Sequence, residues 1–302
     1  MKNTTITLIN TMKMPVIGLG TWRSEKAKVG KAVESALGKV GYKHLDCASI
    51  YGNEKEIGDS LAKLFGATMK REDIFITSKL WNTDHRPESV EGACKKTLSD
   101  LQIDYLDLYL VHWGIAFPQG GDLEPMGKDC KVKLEKISTR ETWEAMEKLV
   151  DKGLVKSIGV ANFTTTMLID LLTYAKIKPA VNQIELHPYN SQAELIEFCR
   201  YQDIAVTAYS PLGGQGSKLP ADAVVEKIAS SHNKTASQIL LRWAIQRGTI
   251  AIPKSTSAKR IIENIDIFDF ELSSGDMKEI DALNKYERSV DPVEWWGVPY
   301  FK

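Results

Sequence analysis

Eight short runs of apolar, largely β-branched residues recur along the chain, and helix-like stretches lie between them. Most runs are apolar at successive positions, which is typical of parallel strands covered on both faces. This pattern restricts the chain to folds built on a buried parallel sheet. The runs are VIGLG (16–20), HLDCA (44–48), IFITSKL (74–80), DLYLVHW (107–113), VKSIGVANF (155–163), AVNQIEL (180–186), IAVTAYS (204–210) and IAIPKS (250–255).

The segments between these runs carry signals for the start of helices. Asn53 with Glu56, and Ser138 with Glu141, have the spacing of capping boxes, in which each side chain bonds the other residue's backbone N–H. Pro87 suits the first turn of a helix, where its missing N–H costs nothing. The sequence therefore predicts strands and helices in regular alternation.

Eight strands alternating with helices favour a closed (β/α)8 TIM barrel over an open doubly wound sheet. We expect one such barrel over residues 1–302, with a β-hairpin within residues 1–15. Three segments are longer than a barrel requires, namely residues 114–138, 211–221 and 284–302. Long loops in compact domains are usually functional, so these segments are predicted to wall one pocket.

The charge balance and the cysteine content restrict which binding partners and which cellular location are expected. The 302 residues include 39 Lys and Arg against 39 Asp and Glu, so the formal net charge is zero. This balance disfavours nucleic acid and membrane surfaces as partners, and no stretch reaches the ~18 apolar residues of a membrane span. The four scattered cysteines favour a reduced, cytoplasmic protein without a metal, and Glu185 with His187 is only a weak metal-ligand candidate. We expect a monomer or a weak homodimer.

A polar residue unsuited to a strand interior closes nearly every run. In a barrel, the carboxyl ends of the strands meet at one mouth, where active sites of this fold lie. Residues far apart in the sequence are therefore predicted to converge there, together with Tyr51 in the turn after the second run. These strand-end residues are Asp46, Lys79, His112, Asn162, Gln183, Tyr209 and Lys254.

This set of side chains suits proton transfer to a carbonyl oxygen. A free phenol has a pKa of about 10 and is a weak acid near neutrality. We expect the Lys79 ammonium to lower the pKa of Tyr51, while Asp46 keeps Lys79 charged. A neutral His112 could donate a hydrogen bond to the carbonyl oxygen and orient it. Since no nucleophile of the Ser-His-Asp kind is present, the set favours carbonyl reduction with hydride from a cofactor.

Several motifs, in the same order along essentially the whole chain, resemble the aldo-keto reductase family, with its sugar-reducing aldose and xylose reductase branch the nearest. The resemblance implies that Tyr51 is the general acid, that Lys79 and Asp46 tune it, and that His112 orients the carbonyl. The matching stretches are MPVIGLGTW (14–22), HLDCASIYGNEKEIG (44–58), ITSKLWN (76–82), DLYLVHW (107–113), SIGVANF (157–163), PAVNQIELHPY (179–189), TAYSPLG (207–213) and IPKS with R and EN (252–264).

The resemblance also implies a nicotinamide cofactor and the residues that hold it. Two cations and a hydroxyl at the adenosine 2′-phosphate favour NADPH, with NADH as a secondary cofactor. The implied contacts are Thr21 and Trp22 beside the cofactor, Asn162 and Gln183 on the carboxamide, Tyr209 beneath the ring, Ser210 and Leu212 at the pyrophosphate, Lys254, Ser255 and Arg260 on the 2′-phosphate, and Glu263 and Asn264 towards adenine.

Departures from the family pattern bear on the substrate. Ala161 stands where serine is common, which removes one hydrogen bond to the carboxamide, and Gly114 is expected to loosen the pocket wall. Ile50 replaces the acid of yeast-type xylose reductases, so the pocket is predicted to prefer general aldehydes over free xylose or glucose. The implied pocket residues are Trp22, Ile50, Trp81, Trp113, Phe117, Trp295 and Trp296.

The sequence leaves other functions open. A barrel of this kind could bind NADPH as a redox sensor or structural protein without turnover, because fold does not fix function. Within the family, a xylose reductase or hexose-phosphate reductase is the alternative. A Rossmann site at Gly18–Gly20 is disfavoured, because Arg23 stands where the third glycine belongs.

Overall fold

The computed structural model describes residues 4–25, 27–67 and 69–301. A hairpin of antiparallel strands β1 (Thr5–Thr7) and β2 (Lys13–Pro15) comes first. A parallel eight-stranded sheet follows, in which each strand pairs with its neighbours in chain order. Its strands are β3 (Leu19–Gly20), β4 (His44–Asp46), β5 (Phe75–Leu80), β6 (Leu108–Val111), β7 (Ile158–Ala161), β8 (Val181–Glu185), β9 (Ala205–Tyr209) and β10 (Ile250–Ala251).

The sheet closes on itself where its first and last strands meet. Parallel bridges join Ile17 to Ala251 and Gly20 to Lys254, and Gly18 N donates to Ala251 O over 2.9 Å. Every predicted run contains one of the eight strands, and the predicted (β/α)8 barrel with its preceding hairpin is confirmed.

Helices separate the barrel strands and cover the outside of the sheet. The first of them, α1, continues directly into a π-helical segment, Glu34–Val40. The helices are α1 (Val29–Val33), α2 (Glu54–Phe65), α3 (Pro87–Leu101), α4 (Thr139–Asp151), α5 (Thr165–Tyr174), α6 (Ala193–Tyr201), α7 (Ala223–His232), α8 (Ala236–Gln246), α9 (Ala258–Ile265), α10 (Ser274–Asp281) and α11 (Pro292–Trp296).

One of the two predicted capping boxes is present and the other is not. At the start of α4, Ser138 N donates to Glu141 Oε2 over 2.9 Å and Glu141 N donates to Ser138 Oγ over 3.2 Å, as predicted. At the start of α2 the prediction is wrong, because Asn53 Nδ2 donates to the carbonyl oxygen of Thr21 over 3.0 Å. Its expected partner, Glu56, instead accepts the backbone N–H groups of Ala27 and Gly30. Contacts with the segment that runs from the end of β3 into α1 thus replace the local cap.

Two apolar layers support the barrel. The larger lies between the outer face of the sheet and the helices. The smaller fills the interior of the barrel, and the hairpin packs against it. Because apolar residues fill the interior, the polar strand ends are left at the carboxyl-end mouth. The buried members of the smaller layer are Leu8, Met14, Phe75, Leu108, Leu110, Ala161, Ala180, Val181 and Ile250.

Candidate active site

The ammonium group of Lys79 is the centre of the barrel mouth. It lies on β5 with its side chain wholly buried, and it donates to three acceptors from the neighbouring segment. Lys79 Nζ lies 2.6 Å from Asp46 Oδ1 at the end of β4, 2.8 Å from the carbonyl oxygen of Cys47, and 3.2 Å from the hydroxyl of Tyr51. Tyr51 ends a short 3₁₀ turn, Ser49–Tyr51, in the segment that follows β4. The structure therefore brings together the three residues of the predicted relay.

The charges of this group hold each other in place. Burial lowers the pKa of Lys79, but the Asp46 carboxylate and the Tyr51 hydroxyl raise it by more, so the net shift is upward and the amine stays charged. The second oxygen of Asp46 accepts from Gln183 Nε2 over 2.7 Å. Each strong donor and acceptor of the ion pair is thereby hydrogen-bonded, as a buried pair requires.

The pKa of Tyr51 does not follow the expectation from sequence. Burial raises the pKa to about 12, and the nearby Lys79 ammonium lowers it by less. The predicted net lowering is therefore wrong, although the predicted contribution of Lys79 has the right sign. The physical reason is that loss of water around a buried phenolate outweighs one nearby cation. At neutral pH the Tyr51 phenol carries its proton, which is the form that an acid needs.

His112 lies beside Tyr51 at the end of β6. The two ring centroids are 5.9 Å apart with the planes nearly perpendicular, and the Trp81 ring lies 5.2 Å from the imidazole on another side. Burial lowers the pKa of His112 well below its ordinary value, and the Lys79 charge and the nearby His85 lower it further. The imidazole is neutral at neutral pH and can donate a hydrogen bond without carrying charge.

The amide and phenol side chains predicted for nicotinamide meet next to this group. Asn162 follows β7 with a left-handed φ of 64°, and its Nδ2 donates to the carbonyl oxygen of His112 over 2.9 Å. Its Oδ1 accepts from the hydroxyl of Tyr209, at the end of β9, over 2.8 Å. Asn162 N donates to the carbonyl oxygen of Gln183 over 2.8 Å, and Gln183 in turn bonds Asp46, so this set is continuous with the ion pair.

The residues predicted for the adenosine end lie around β10 and the start of α9. Lys254 follows β10 and is exposed, as is Arg260 in the first turn of α9. Ser255 is buried, and its hydroxyl accepts from Ser257 N over 3.1 Å. Among the described residues, no side chain caps the N-terminus of α9 and no acidic residue lies in its first turn. This end of the mouth is therefore positive.

The remaining predicted cofactor residues differ in their burial and in their hydrogen-bond partners. Thr21 is buried, and its hydroxyl donates to the carbonyl oxygen of Asp46 over 2.8 Å. Glu263 accepts from the Thr235 hydroxyl over 2.8 Å, whereas Asn264 is buried within α9. Ser210 has a φ of 48° directly after β9. Leu212 packs against the larger apolar layer, between the sheet and the helices.

Aromatic rings form one wall of the mouth. The Trp296 ring lies 5.1 Å from the Trp113 ring, 5.1 Å from the Phe117 ring and 6.0 Å from the Trp81 ring, measured between centroids. Trp22, Ile50 and Trp295 pack against these rings and are less buried. The structure thus brings the predicted pocket residues into one cluster. The cluster also contains residues that the sequence reasoning missed, namely Ile115, Val132, Val290, Val298, Tyr300 and Phe301.

Gly114 does not loosen this wall, contrary to the expectation. A Cβ built on Gly114 would lie 2.1 Å from Met167 Cε and 3.1 Å from the Tyr300 hydroxyl. The Gly114 N–H also donates to that hydroxyl over 2.8 Å. Neighbouring side chains occupy the space that a larger residue would fill, so glycine permits a close contact between the wall and the end of the chain.

The described part of the chain gives no sign of a metal centre or a membrane span. No group of three or more His, Cys, Asp and Glu side chains is placed there to hold a metal ion. No helix in that part combines the length and the apolar character needed to cross a membrane.

Removing one member of the buried ion pair should destabilise the fold more than removing both. Lys79→Met leaves the Asp46 carboxylate buried without its cation, and we expect a loss of about 3–5 kcal/mol in the free energy of unfolding. Lys79→Met with Asp46→Leu should recover much of this loss, because no buried charge remains. Urea denaturation measures both. As a control, Lys227→Met at the exposed pair with Glu279 should cost less than about 1 kcal/mol. Equal stability of the single and double variants would contradict this account.

Comparisons with known proteins agree with this geometry. The model of the aldo/keto reductase family matches residues 16–285. Aldose reductase B of Dictyostelium discoideum is 51% identical over 295 residues, which cover 95% of this chain and 94% of that protein. Aldo-keto reductase family 1 member A1-A of Danio rerio is 48% identical over 299 residues, covering 96% and 92%.

Solved structures give the same result. The aldose reductase of Schistosoma japonicum superposes with a TM-score of 0.94 at 46% identity, over 99% of this chain and 98% of that one. The aldose reductase of Giardia lamblia superposes with a TM-score of 0.91 at 44% identity, over 95% and 98%. These likenesses extend over nearly the whole barrel and its mouth. The chain belongs to the aldo/keto reductase family, as its motifs predict.

Proposed function

We propose that this protein reduces aldehydes to primary alcohols with NADPH, and that Tyr51 is the general acid. The observation that carries the proposal is the contact of the Tyr51 hydroxyl with the buried Lys79 ammonium, beside a neutral His112 at the barrel mouth. Membership of the family implies a nicotinamide cofactor, and the mouth offers this acid to a carbonyl group held nearby.

The residues at the mouth orient the carbonyl group and transfer a proton to its oxygen. A bound NADPH supplies the hydride for the carbonyl carbon. His112 donates a hydrogen bond to the carbonyl oxygen and orients it. Tyr51 gives its phenolic proton to the same oxygen, since the alkoxide that develops is a stronger base than a phenolate. The Lys79 ammonium stabilises the Tyr51 phenolate that remains, and Asp46 keeps the ammonium in position.

The chemistry of the mouth fits a nicotinamide. The amide groups of Asn162 and Gln183 are complementary to a carboxamide, which both donates and accepts hydrogen bonds. The half-buried ring of Tyr209 lies next to them and offers a flat apolar face for stacking. In the proposed arrangement Thr21 and Trp22 lie beside the cofactor, and Ser210 and Leu212 meet the pyrophosphate.

The positive end of the mouth supports NADPH over NADH. Lys254 and Arg260 are exposed cations on either side of the start of α9, and Ser255 adds a hydroxyl. The N-terminus of a helix without a side-chain cap is itself a favourable place for a phosphate. The 2′-phosphate that distinguishes NADPH would give these groups an anionic partner. Glu263 and Asn264 are proposed to face the adenine.

The aromatic wall supports general aldehydes as substrates. The cluster around Trp113 and Trp296 is apolar and nearly continuous, and Ile50 adds an aliphatic side chain. Apolar walls give no hydrogen bonds to sugar hydroxyls and favour aromatic or short aliphatic groups. We propose that the loops over residues 114–138 and 211–221 and the tail over residues 284–302 wall this pocket.

The competing functions are not favoured. A barrel that binds NADPH without turnover has no need of a phenol, an ammonium and a carboxylate in contact at the mouth. The relatives named above carry reductase names. We further propose a cytoplasmic monomer or weak homodimer, since the four cysteines are unpaired and three of them are buried.

Tyr51→Phe should abolish reduction while leaving the cofactor bound. The variant removes the transferred proton but keeps the ring, so kcat should fall by about 10³-fold with the Kd of NADPH changed less than about twofold. The loss of NADPH absorbance during turnover and quenching of tryptophan fluorescence measure these two quantities. The matched control is Tyr109→Phe, which removes a phenol from the outer core. If Tyr51→Phe keeps its activity, Tyr51 is not the acid.

Charge removal at the positive end should reduce the preference for NADPH. We expect Lys254→Met with Arg260→Met to weaken the apparent binding of NADPH in turnover by about tenfold and to leave that of NADH within about twofold, because only NADPH carries the 2′-phosphate. Steady-state kinetics with each cofactor test this through the two KM values. Lys278→Met, which removes an exposed charge on α10, serves as the control. A parallel rise of both KM values would argue against a 2′-phosphate clamp.

The order of substrates should follow the apolar wall. We expect kcat/KM for an aromatic or short aliphatic aldehyde to exceed that for free xylose or glucose by at least about tenfold. Initial rates over a panel of carbonyl compounds at saturating NADPH give the order. A higher kcat/KM for the free sugars would contradict the proposed substrate class.

A further inference from the structure

The end of the chain contributes to the pocket from outside the barrel. Here the C-terminal tail means residues 285–301. It places Val290, Trp296 and Phe301 in the aromatic wall, together with Tyr300, whose hydroxyl accepts from Gly114 N over 2.8 Å. The tail belongs to no barrel strand. Its position depends on side-chain contacts together with a few backbone hydrogen bonds, such as those of Lys285 N and Glu287 N to the carbonyl oxygen of Tyr189.

A buried carboxylate holds the start of this tail. Glu185 is the last residue of β8, and its side chain is wholly buried. Its Oε1 accepts from the backbone N and the hydroxyl of Ser289 over 2.7 and 2.6 Å, and its Oε2 accepts from Val290 N over 3.1 Å. Three donors from two successive tail residues therefore converge on one side chain of the barrel.

The carboxylate is itself fixed in position and charged. Burial raises the pKa of Glu185, but hydrogen bonds from His187 and Ser289 lower it by more, so the group is ionised at neutral pH. His187 Nε2 lies 2.9 Å from Oε1 and supplies a further donor. The backbone carbonyl of Glu185 accepts from the side chains of Asn190 and Gln192. Hydrogen bonds to an ionised acceptor are stronger than neutral ones, so this is a strong anchor.

Packing does not replace these bonds on the outer side of the tail. A cavity of about 460 Å³ lies there, with Arg288, Asp291 and Glu294 of the tail on one side and Thr164 and Leu195 of the barrel on the other. Where a cavity separates two segments, van der Waals contact between them is lost. The bonds of Glu185 therefore tie Ser289 and Val290 directly to β8.

Ser289 also borders the loop over residues 211–221, which is proposed to wall the pocket. A Cβ built on Gly214, in the loop over residues 211–221, would lie 2.6 Å from Ser289 Oγ. Gly214 also has a φ of +83°, which favours glycine. The anchored tail and this loop therefore meet at Ser289.

We propose that Glu185 is a positioning residue, which holds the C-terminal tail at the barrel mouth and thereby sets which aldehydes fit the pocket. The inference about selectivity rests on the proposed function, whereas the anchoring of the tail does not. The bonds of the Glu185 carboxylate reach Ser289 and Val290, so its effect on substrates passes through these two residues to the aromatic wall.

Two variants and one matched control separate this role from general stability. Glu185→Gln keeps the size of the side chain but replaces one acceptor oxygen by an NH₂ donor. The glutamine side chain therefore cannot accept hydrogen bonds from Ser289 and Val290 at the same time. Ser289→Ala removes a single donor and is the milder variant. Glu147→Gln is the control, because Glu147 is a buried carboxylate that accepts from Lys176 N and Ile177 N over 2.7 and 2.9 Å on the side of the barrel.

The first measurement reports the tail directly. Hydrogen–deuterium exchange of the full-length protein, with and without NADPH, follows peptides from residues 285–301. In Glu185→Gln we expect amide exchange in these peptides to be at least about tenfold faster than in the wild type, because one of the two anchored N–H groups loses its acceptor and the other keeps only a neutral one. Ser289→Ala should give a smaller increase, and Glu147→Gln none. Unchanged exchange in Glu185→Gln overturns the anchor.

The second measurement reports selectivity with a bulky and a small aldehyde, para-nitrobenzaldehyde and propanal, at saturating NADPH. For Glu185→Gln we expect the KM for the aromatic aldehyde to rise by about tenfold, while the KM for propanal and kcat for both aldehydes stay within about twofold. A large ring contacts the tail wall and a three-carbon aldehyde contacts it little. If Glu185→Gln and Glu147→Gln shift the two KM values alike, the selectivity role is wrong. A wild type that oxidises NADPH with neither aldehyde would instead refute the proposed function, and the exchange data would still decide the anchor.

Discussion

The buried ammonium of Lys79 is the constraint on which the mouth of the barrel depends. A cation without water must have its three N–H groups satisfied, and here Asp46, the Cys47 carbonyl and the Tyr51 hydroxyl satisfy them. These acceptors come from the end of β4 and the turn that follows it. The contacts that keep the ammonium stable are therefore the same contacts that place the phenol for reaction, and the site is assembled whenever the barrel is folded.

Burial from solvent gives each titratable group at the mouth the protonation state that reduction requires. Burial outweighs the nearby cation at Tyr51 and leaves its pKa at about 12, so the proton remains available for transfer. The same lack of water keeps His112 neutral, as a donor that adds no charge. The Lys79 ammonium contributes most when the Tyr51 phenolate forms, since opposite charges in contact attract strongly where water is scarce. Its role is to stabilise the product of proton transfer.

Much of the fold and of the site could be predicted from sequence because both follow from local patterns. Eight apolar runs indicate eight strands, and polar residues at their ends indicate one mouth. The failures involve contacts between distant segments. Asn53 bonds Thr21 across two elements, and no local rule reveals that partner. The pKa of Tyr51 depends on how deeply the phenol is buried, and the spacing of residues along the sequence does not reveal this burial. Likewise, Ser289 binds Glu185 although the two are 104 residues apart, and no sequence pattern indicates this contact.

The barrel strands and the C-terminal tail are held by different interactions. The residues that react lie on the strands, whereas the residues proposed to select the substrate lie partly on the tail. Main-chain ladders between β4, β5 and β6 fix Lys79 and His112, and changing any of these strands would disturb the core. The aromatic wall depends on a tail held by the side-chain bonds of one carboxylate, by a few backbone hydrogen bonds to loops and by contacts among rings. Changes in the tail can therefore alter the size of the pocket without moving the ammonium or the phenol. A barrel of this construction can accept different aldehydes with one set of reacting groups.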